Sequence, residues 1–79
     1  MRIPRDLYGR ELAAALCAQW AYQKVNQVGS HLILQTETPQ HHRVSVPDHK
    51  PLRIGTLNAI LREVAAAKRV TREDILATL

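Results

Sequence analysis

The chain has 79 residues, of which 46% are apolar and only 4% aromatic, and its formal net charge is +4 at pH 7. This length suits one domain with a small core, and the scarcity of aromatic rings excludes a nucleic-acid platform built on many stacked bases. The positive charge favours a polyanionic partner such as nucleic acid.

Cysteine content and hydropathy limit the cellular setting. Cys17 is the single cysteine, which excludes an internal disulfide and a cysteine zinc site and fits a reducing compartment. No apolar run is long enough for a signal peptide or a membrane span. We therefore expect a cytoplasmic protein that does not enter a membrane.

The first predicted element is an amphipathic helix that begins at Leu7, with Asp6 as its N-cap. Leu12, Leu16 and Trp20 recur every four residues and form one apolar stripe. Cys17 lies beside this stripe and is predicted to be a small buried residue.

Three short strands follow, over residues 22–28, 31–36 and 42–46. The first alternates poorly, and Gly29-Ser30 marks a turn before the second. In the second strand, Leu32 and Leu34 share one face, and His31 shares the other with Ile33 and Gln35. Short connections predict an antiparallel meander.

Two helices complete the chain. One is predicted over residues 56–66, with Thr56 as a possible N-cap or with an earlier start at Ile54. The other spans residues 71–79, and Thr71 and Asp74 form a capping box at its start. The order α-β-β-β-α-α predicts an α+β two-layer sandwich, with helices on one face of a three-stranded antiparallel sheet and a polar opposite face.

Three sequence blocks in this order resemble the HicA family of bacterial mRNA-interferase toxins, which adopt a fold similar to the double-stranded-RNA-binding domain. The blocks are Gly29-Ser30-His31-Leu32, then Val44-Ser45-Val46-Pro47 followed by His49, then Gly55-Thr56-Leu57 running into Ile60-Leu61. The resemblance covers roughly residues 7–66 of a single 1–79 domain, and the helix over 71–79 fits a common C-terminal extension.

The resemblance implies an endoribonuclease that cleaves mRNA without a metal ion or other cofactor. It implies that His31 is the catalytic residue and that an antitoxin of the HicB type covers the site. The chain departs from the family at two places: Asn26 and Val28 stand where basic residues often precede the glycine, and Ala21 replaces a common glycine. We expect the second departure only to shift a helix end.

The residues themselves fit RNA chemistry. RNA carries its own nucleophile, the 2′-hydroxyl, and an imidazole can give or take a proton at cytosolic pH, so His31 is a candidate general acid or base. Ser30 could hold a phosphate oxygen. Lys24 and Arg43, on neighbouring strands, are predicted phosphate ligands; if they share a face with His31, that face is the active surface.

Other basic residues lie in the C-terminal half. Lys50 and Arg53, near the start of the second helix, are predicted to bind phosphate, and His49 to order the loop or touch RNA. Lys68, Arg69 and Arg72 are expected on a solvated helix face.

A metal site is not expected. The adjacent His41 and His42 point to opposite faces of a strand and cannot readily chelate one ion, so we interpret them as solvated histidines.

Two other functions remain open. One is a non-catalytic RNA-binding module of the same fold, in which His31 is incidental. The other is a DNA-binding regulator in which residues 56–66 and 71–79 form a helix-turn-helix that reads bases through Arg72.

Overall fold

A three-stranded antiparallel sheet covered on one face by helices makes up the computed structural model, which describes residues 7–48 and 51–79. In chain order the elements are α1 (Gly9–Gln19), β1 (Gln23–Val28), β2 (His31–Thr36), β3 (His42–Pro47), α2 (Ile54–Lys68) and α3 (Arg72–Leu76). The strands lie in the order β1-β2-β3. The predicted α+β sandwich and its meander are therefore confirmed, and the arrangement fits the double-stranded-RNA-binding-domain type of fold.

A two-residue loop joins β1 to β2. Val28 pairs with His31, so only Gly29 and Ser30 lie between the strands. Gly29 has φ +60°, a left-handed conformation that glycine adopts without a steric cost. A left-handed glycine at the first loop position is typical of the type II′ turn, whose twist matches that of the flanking strands.

A β-bulge interrupts β1. The pairing register passes from Lys24 opposite Leu34 to Asn26 opposite Ile33, which leaves Val25 as the extra residue. The bulge explains why this stretch does not alternate regularly in sequence. All six residues of β1 are exposed, because it is an edge strand that the helices do not cover.

The core lies between the helices and the inner faces of β2 and β3. Leu32 and Leu34 from β2 and Val44 and Val46 from β3 are buried against α1 and α2. The deepest helix residues, all fully buried, are Leu12, Leu16, Leu57, Leu61, Val64 and Ile75. Each such side chain contributes about 1.5–3 kcal/mol of transfer free energy, which is how so small a core can hold the two layers together.

The ends of α1 and α2 agree only in part with the predicted ones. α1 begins at Gly9 after Tyr8, two residues later than predicted; the proposed cap Asp6 lies outside the described residues. α2 begins at Ile54, the earlier of the two predicted starts, with Arg53 as its N-cap, so Thr56 is not the cap; Leu57 N–H donates to Arg53 O at 2.9 Å. The helix ends at Lys68, two residues later than predicted.

The last helix, α3, is shorter than predicted and ends at Leu76. Its capping box is confirmed: Asp74 N–H donates to Thr71 Oγ1 at 3.1 Å, and Thr71 N–H donates to Asp74 Oδ2 at 2.9 Å. Hydrogen bonds from the backbone N–H and from the side chain of Thr71 lower the pKa of the Asp74 carboxyl. Among the described helices, none combines the length and the apolar character needed to cross a membrane.

Candidate functional site

His31 begins β2 on the face of the sheet opposite the helices. It alternates with the buried Leu32 and is exposed, and it pairs with Val28 on one side and Pro47 on the other. In the described part of the chain, no side chain forms a hydrogen bond to its imidazole. The ring nitrogens are thus open to a ligand that approaches the outer face of the sheet.

The start of α1 packs against the same end of the sheet. A Cβ added at Gly9 would lie 1.8 Å from Pro47 O, so the helix and the end of β3 meet backbone to backbone. Arg10 N–H donates to Asp48 Oδ1 at 2.9 Å, and Asp48 N–H donates to Ser30 O at 2.6 Å. These bonds connect the first turn of α1 to the loop that precedes His31.

Sequence reasoning missed Arg10 and Asp48. Arg10 lies outside the apolar stripe of α1, and Asp48 looks like an ordinary loop residue after Pro47. The close contact of Gly9 with Pro47 brings the first turn of α1 and Asp48 to the Gly29-Ser30 loop. No local sequence pattern predicts this long-range contact. A glycine at the first helical position was the one available signal of a close approach.

Lys24 does not share a face with His31. Lys24 pairs with Leu34, whose side chain points to the helices, whereas His31 lies on the outer face with Ile33. The sheet register therefore contradicts the arrangement in which Lys24 and His31 flank one phosphate on a single polar face. Lys24 Nζ instead donates to Gln27 Oε1 at 2.9 Å on the helix side.

Arg43 lies on the same face as His31 but near the opposite end of the strands. It pairs with Gln35, four residues beyond His31 along β2, a separation of about 13 Å. Arg43 Nε donates to Gln35 Oε1 at 3.0 Å, and Gln35 Nε2 donates to Glu37 Oε2 at 2.7 Å. Hydrogen bonds from His41 and Gln35 lower the pKa of Glu37.

Of the remaining predicted RNA ligands, the structure describes Ser30 and Arg53. Ser30 is half-buried in the loop before His31, and Arg53 is exposed at the N-terminus of α2. His49 and Lys50 lie outside the described residues. The structure thus gathers Ser30 next to His31 and leaves Arg43 at a distance.

A polar cluster joins α2 to the inner face of the sheet. Tyr22 is 2% exposed, and its hydroxyl lies 2.7 Å from His42 Nδ1, while His42 Nε2 lies 3.2 Å from Glu63 Oε1. Burial, with a smaller effect of the Glu63 charge, raises the pKa of Tyr22 to about 12. His42 is therefore not a solvated loop residue, as the sequence suggested, but a half-buried link between the phenol and the carboxylate.

Lys68 completes this cluster. Its Nζ donates to Thr36 Oγ1 at 2.8 Å and lies 4.8 Å from the centre of the Tyr22 ring. Burial lowers the pKa of Lys68. The expectation of a solvated helix face is wrong for this residue, because its side chain folds back over the sheet.

The histidines do not converge. His41 Nδ1 lies 3.1 Å from Glu37 Oε1, and His42 faces the other side of the sheet. Within residues 7–48 and 51–79, no three histidine, cysteine or acidic side chains come together as metal ligands would.

The helix-turn-helix hypothesis finds no support in α3. This helix has five residues, and Arg72, the expected base reader, is half-buried and donates to Asn58 Oδ1 at 2.9 Å. The exposed residues of α3 are Glu73 and Asp74, whose negative charges oppose an approach to DNA phosphates.

Comparison with known protein families agrees with this geometry. The family described as the HicA toxin of bacterial toxin-antitoxin systems matches residues 9–65, a span that begins with α1 and ends within α2. No curated protein and no solved structure matches the chain. Since the matched span covers well over half of the sequence, the chain belongs to the HicA family and is a toxin of a bacterial toxin-antitoxin system.

Proposed function

We propose that this toxin is an endoribonuclease that cleaves mRNA in the cytoplasm without a metal ion, with His31 as general acid or base. The observation that carries the proposal is the exposed His31 imidazole on the open face of the sheet, fixed by the two-residue loop Gly29-Ser30. Family membership supplies the toxin function, and the family's Gly-Ser-His block coincides with this loop.

The chemistry requires little more than a well-placed proton carrier. The 2′-oxygen of RNA attacks the adjacent phosphorus, the bond from phosphorus to the 5′-oxygen breaks, and the products are a 2′,3′-cyclic phosphate and a 5′-hydroxyl. One proton leaves the 2′-hydroxyl and one is gained by the 5′-oxygen. An imidazole can carry either proton, and such acid–base help accelerates a reaction by about 10²- to 10⁴-fold.

Binding would depend on groups on both sides of His31. Ser30 is adjacent to the histidine, and its loop is held by the bond from Asp48 N–H. Arg43 would contact RNA away from the scissile phosphate, given its position along β3. Arg53, His49 and Lys50 follow β3 in the chain, and we propose that they add phosphate contacts beyond the histidine.

The test is cleavage of a single-stranded RNA by the wild-type chain and by His31→Ala, each with a chelator present. We expect the substitution to slow cleavage by about 10²- to 10⁴-fold. His41→Ala is the matched control, since His41 is also exposed but lies at the far end of the sheet, and it should cleave at the wild-type rate. A substrate with 2′-deoxyribose at the cleavage position should resist, because it lacks the nucleophile.

The outcomes separate the alternatives. Cleavage that survives His31→Ala in a folded protein would remove His31 from the reaction. Binding of RNA by the wild type with no cleavage under any condition would favour the non-catalytic RNA-binding module. Cleavage abolished by the chelator and restored by a divalent cation would contradict the metal-independent part of the proposal.

A further inference from the structure

An open groove separates α1 from β1 on the helix side of the sheet. It has a volume of about 330 Å³, room for one or two large side chains. Its floor is formed by Leu32 and Leu34, and its helix wall includes Ala14 and Cys17. The groove exists because β1 extends beyond the cover that α1 provides, so its inner face remains exposed.

Two cations border this apolar floor. Arg10 stands at the start of α1, and Lys24 lies across the groove on β1. Arg10 is compensated in part by Asp48, with Nε 3.6 Å from Oδ1, whereas Lys24 Nζ donates to the neutral amide of Gln27. The two cations face one carboxylate, which leaves the groove with an excess positive charge.

The same groove is connected to the loop before His31. Gln27, which lines the groove, donates through Nε2 to Gly29 O at 3.2 Å. Asp48, at the other end of the groove, donates through its N–H to Ser30 O. Two groove residues thus hold the two carbonyl groups of the loop that positions His31.

We propose that this groove binds a segment of the cognate antitoxin, which inserts an apolar side chain onto Leu32 and Leu34 and places a carboxylate between Arg10 and Lys24. A toxin of a toxin-antitoxin system has a protein partner, and an apolar floor beneath cations matches an amphipathic acidic segment. RNA fits less well, because the described residues that line the groove include no aromatic ring on which a base could stack.

Docking in the groove would also restrain the loop before His31 through Gln27 and Asp48. This regulatory part rests on the proposed function, because it matters only if His31 acts on RNA. The binding part does not depend on cleavage and is tested without it.

The test uses Ala14→Glu, which fills the mouth of the groove and adds a carboxylate that repels an acidic segment. Ala14 is exposed on a helix and outside the proposed RNA-cleaving machinery, so folding and RNA cleavage should be retained. The probe is the purified product of the adjoining open reading frame. We expect its dissociation constant to rise by about tenfold or more, equivalent to about 1.4 kcal/mol. Ala59→Glu, the same change at an exposed site of α2 outside the groove, should bind as the wild type does.

A second measurement locates the partner directly. The variant Ala14→Cys should react with iodoacetamide in the free protein and be protected in the complex, while Ala59→Cys stays reactive in both. The proposal is overturned if the adjoining product does not bind, if it binds Ala14→Glu as tightly as the wild type, or if it leaves Ala14→Cys reactive. It is equally overturned if a non-cleavable 2′-deoxy RNA analogue protects Ala14→Cys and the protein does not.

Discussion

Two residues hold backbone conformations that their side chains disfavour. Ala21 has φ +60° and Arg69 has φ +59°, both in the left-handed region, where a Cβ crowds the following carbonyl. Ala21 connects the end of α1 to β1. Arg69 ends α2 in a Schellman motif, in which Val70 N–H donates to Ala65 O and Arg69 N–H to Ala66 O. At both positions the fold requires a sharp change of direction.

Ala21 explains a departure from the family pattern. The resemblance described above leads one to expect a glycine at this position, and glycine adopts a left-handed backbone without a steric cost. The expectation that alanine shifts the end of the helix stays a prediction, and the left-handed backbone adds a conformational cost to it. With alanine at residue 21, the backbone still adopts the left-handed conformation, and the Cβ makes that conformation strained.

Replacing Ala21 with glycine should raise the free energy of unfolding by up to about 1 kcal/mol, because removing Cβ relieves a left-handed strain of about 1–2 kcal/mol and the greater flexibility of the unfolded chain offsets part of it. Ala18→Gly, at an exposed position inside α1, should instead lower it by about 1 kcal/mol. Urea unfolding of the two variants measures both. Equal losses in the two would show that residue 21 carries no strain.

For single side chains, the sequence predicts the face of the sheet on which a residue lies better than it predicts the partner of its hydrogen bonds. The alternation of β2 places His31 outside and Leu32 inside, as found. The alternation of β3 likewise places His42 on the inner face with Val44 and Val46. It cannot reveal that His42 bonds to Tyr22 or that Lys68 bonds to Thr36, because those contacts join residues 20 and 32 positions apart. Long flexible side chains find partners that only the assembled fold supplies.

Among the elements, the approach of α1 to β3 sets the geometry of the His31 end of the sheet. The nearest atoms to a Cβ at Gly9 would be Pro47 O, Pro47 C and Asp48 Cα, all backbone. A backbone contact cannot yield by a change of rotamer. A side chain at this position would have to separate the helix from the strand.

Gly9→Ala should therefore lower the free energy of unfolding by about 1–3 kcal/mol, the usual cost of overpacking, although alanine favours a helix. Gly55→Ala is the matched control in the first turn of α2: no atom lies within 4 Å of its added Cβ, so we expect a gain of up to about 1 kcal/mol. Thermal unfolding of both gives the comparison. A stabilised Gly9→Ala protein would contradict the close contact.

The type and order of the helices and strands were largely predictable from the sequence, but their exact ends and irregularities were not. Periodicity identified α1, β2, β3 and α2, because their core residues follow regular spacing, whereas β1 alternates poorly and α3 was recognised by its capping box. The start of α1 and the bulge in β1 escaped it, since the first depends on the contact with Pro47 and the second on pairing with β2. The candidate site shows the same distinction between local and long-range information. His31 was predicted from the local Gly29-Ser30-His31 block, whereas the roles of Arg10 and Asp48 depend on a long-range contact and were not predicted.

Across the whole molecule, the two ends of the sheet are built differently. The end with His31 is formed by backbone contacts among α1, β3 and the Gly29-Ser30 loop, and it leaves the imidazole open. The other end is closed by a cluster of the buried Tyr22 and the half-buried His42 and Lys68, which links α2 to the sheet.

The cluster of Tyr22, His42 and Lys68 makes the free energy of unfolding vary with pH in the alkaline range. The pKa of Tyr22 is about 12 in the folded protein against 10 in the unfolded chain, so the folded state binds the phenolic proton more tightly. The stabilisation is complete below pH 10. Between pH 10 and about 12 the unfolded chain loses its proton first, and the free energy of unfolding falls by at most about 1.4 kcal/mol per pH unit. Lys68 acts in the opposite sense, because burial lowers its pKa.

Tyr22→Phe isolates the contribution of the phenol, since Lys68 and the other ionisable groups remain. At pH 8 we expect it to cost about 1 kcal/mol through the lost bond to His42, and between pH 10 and 12 its stability should fall less steeply than that of the wild type. Val70→Ala, a half-buried apolar change without an ionisable group, should lower stability and keep the wild-type slope. Guanidinium unfolding across this pH range measures both slopes. If Tyr22→Phe and the wild type lost stability with the same slope between pH 10 and 12, the phenol of Tyr22 would not be the source of the pH dependence.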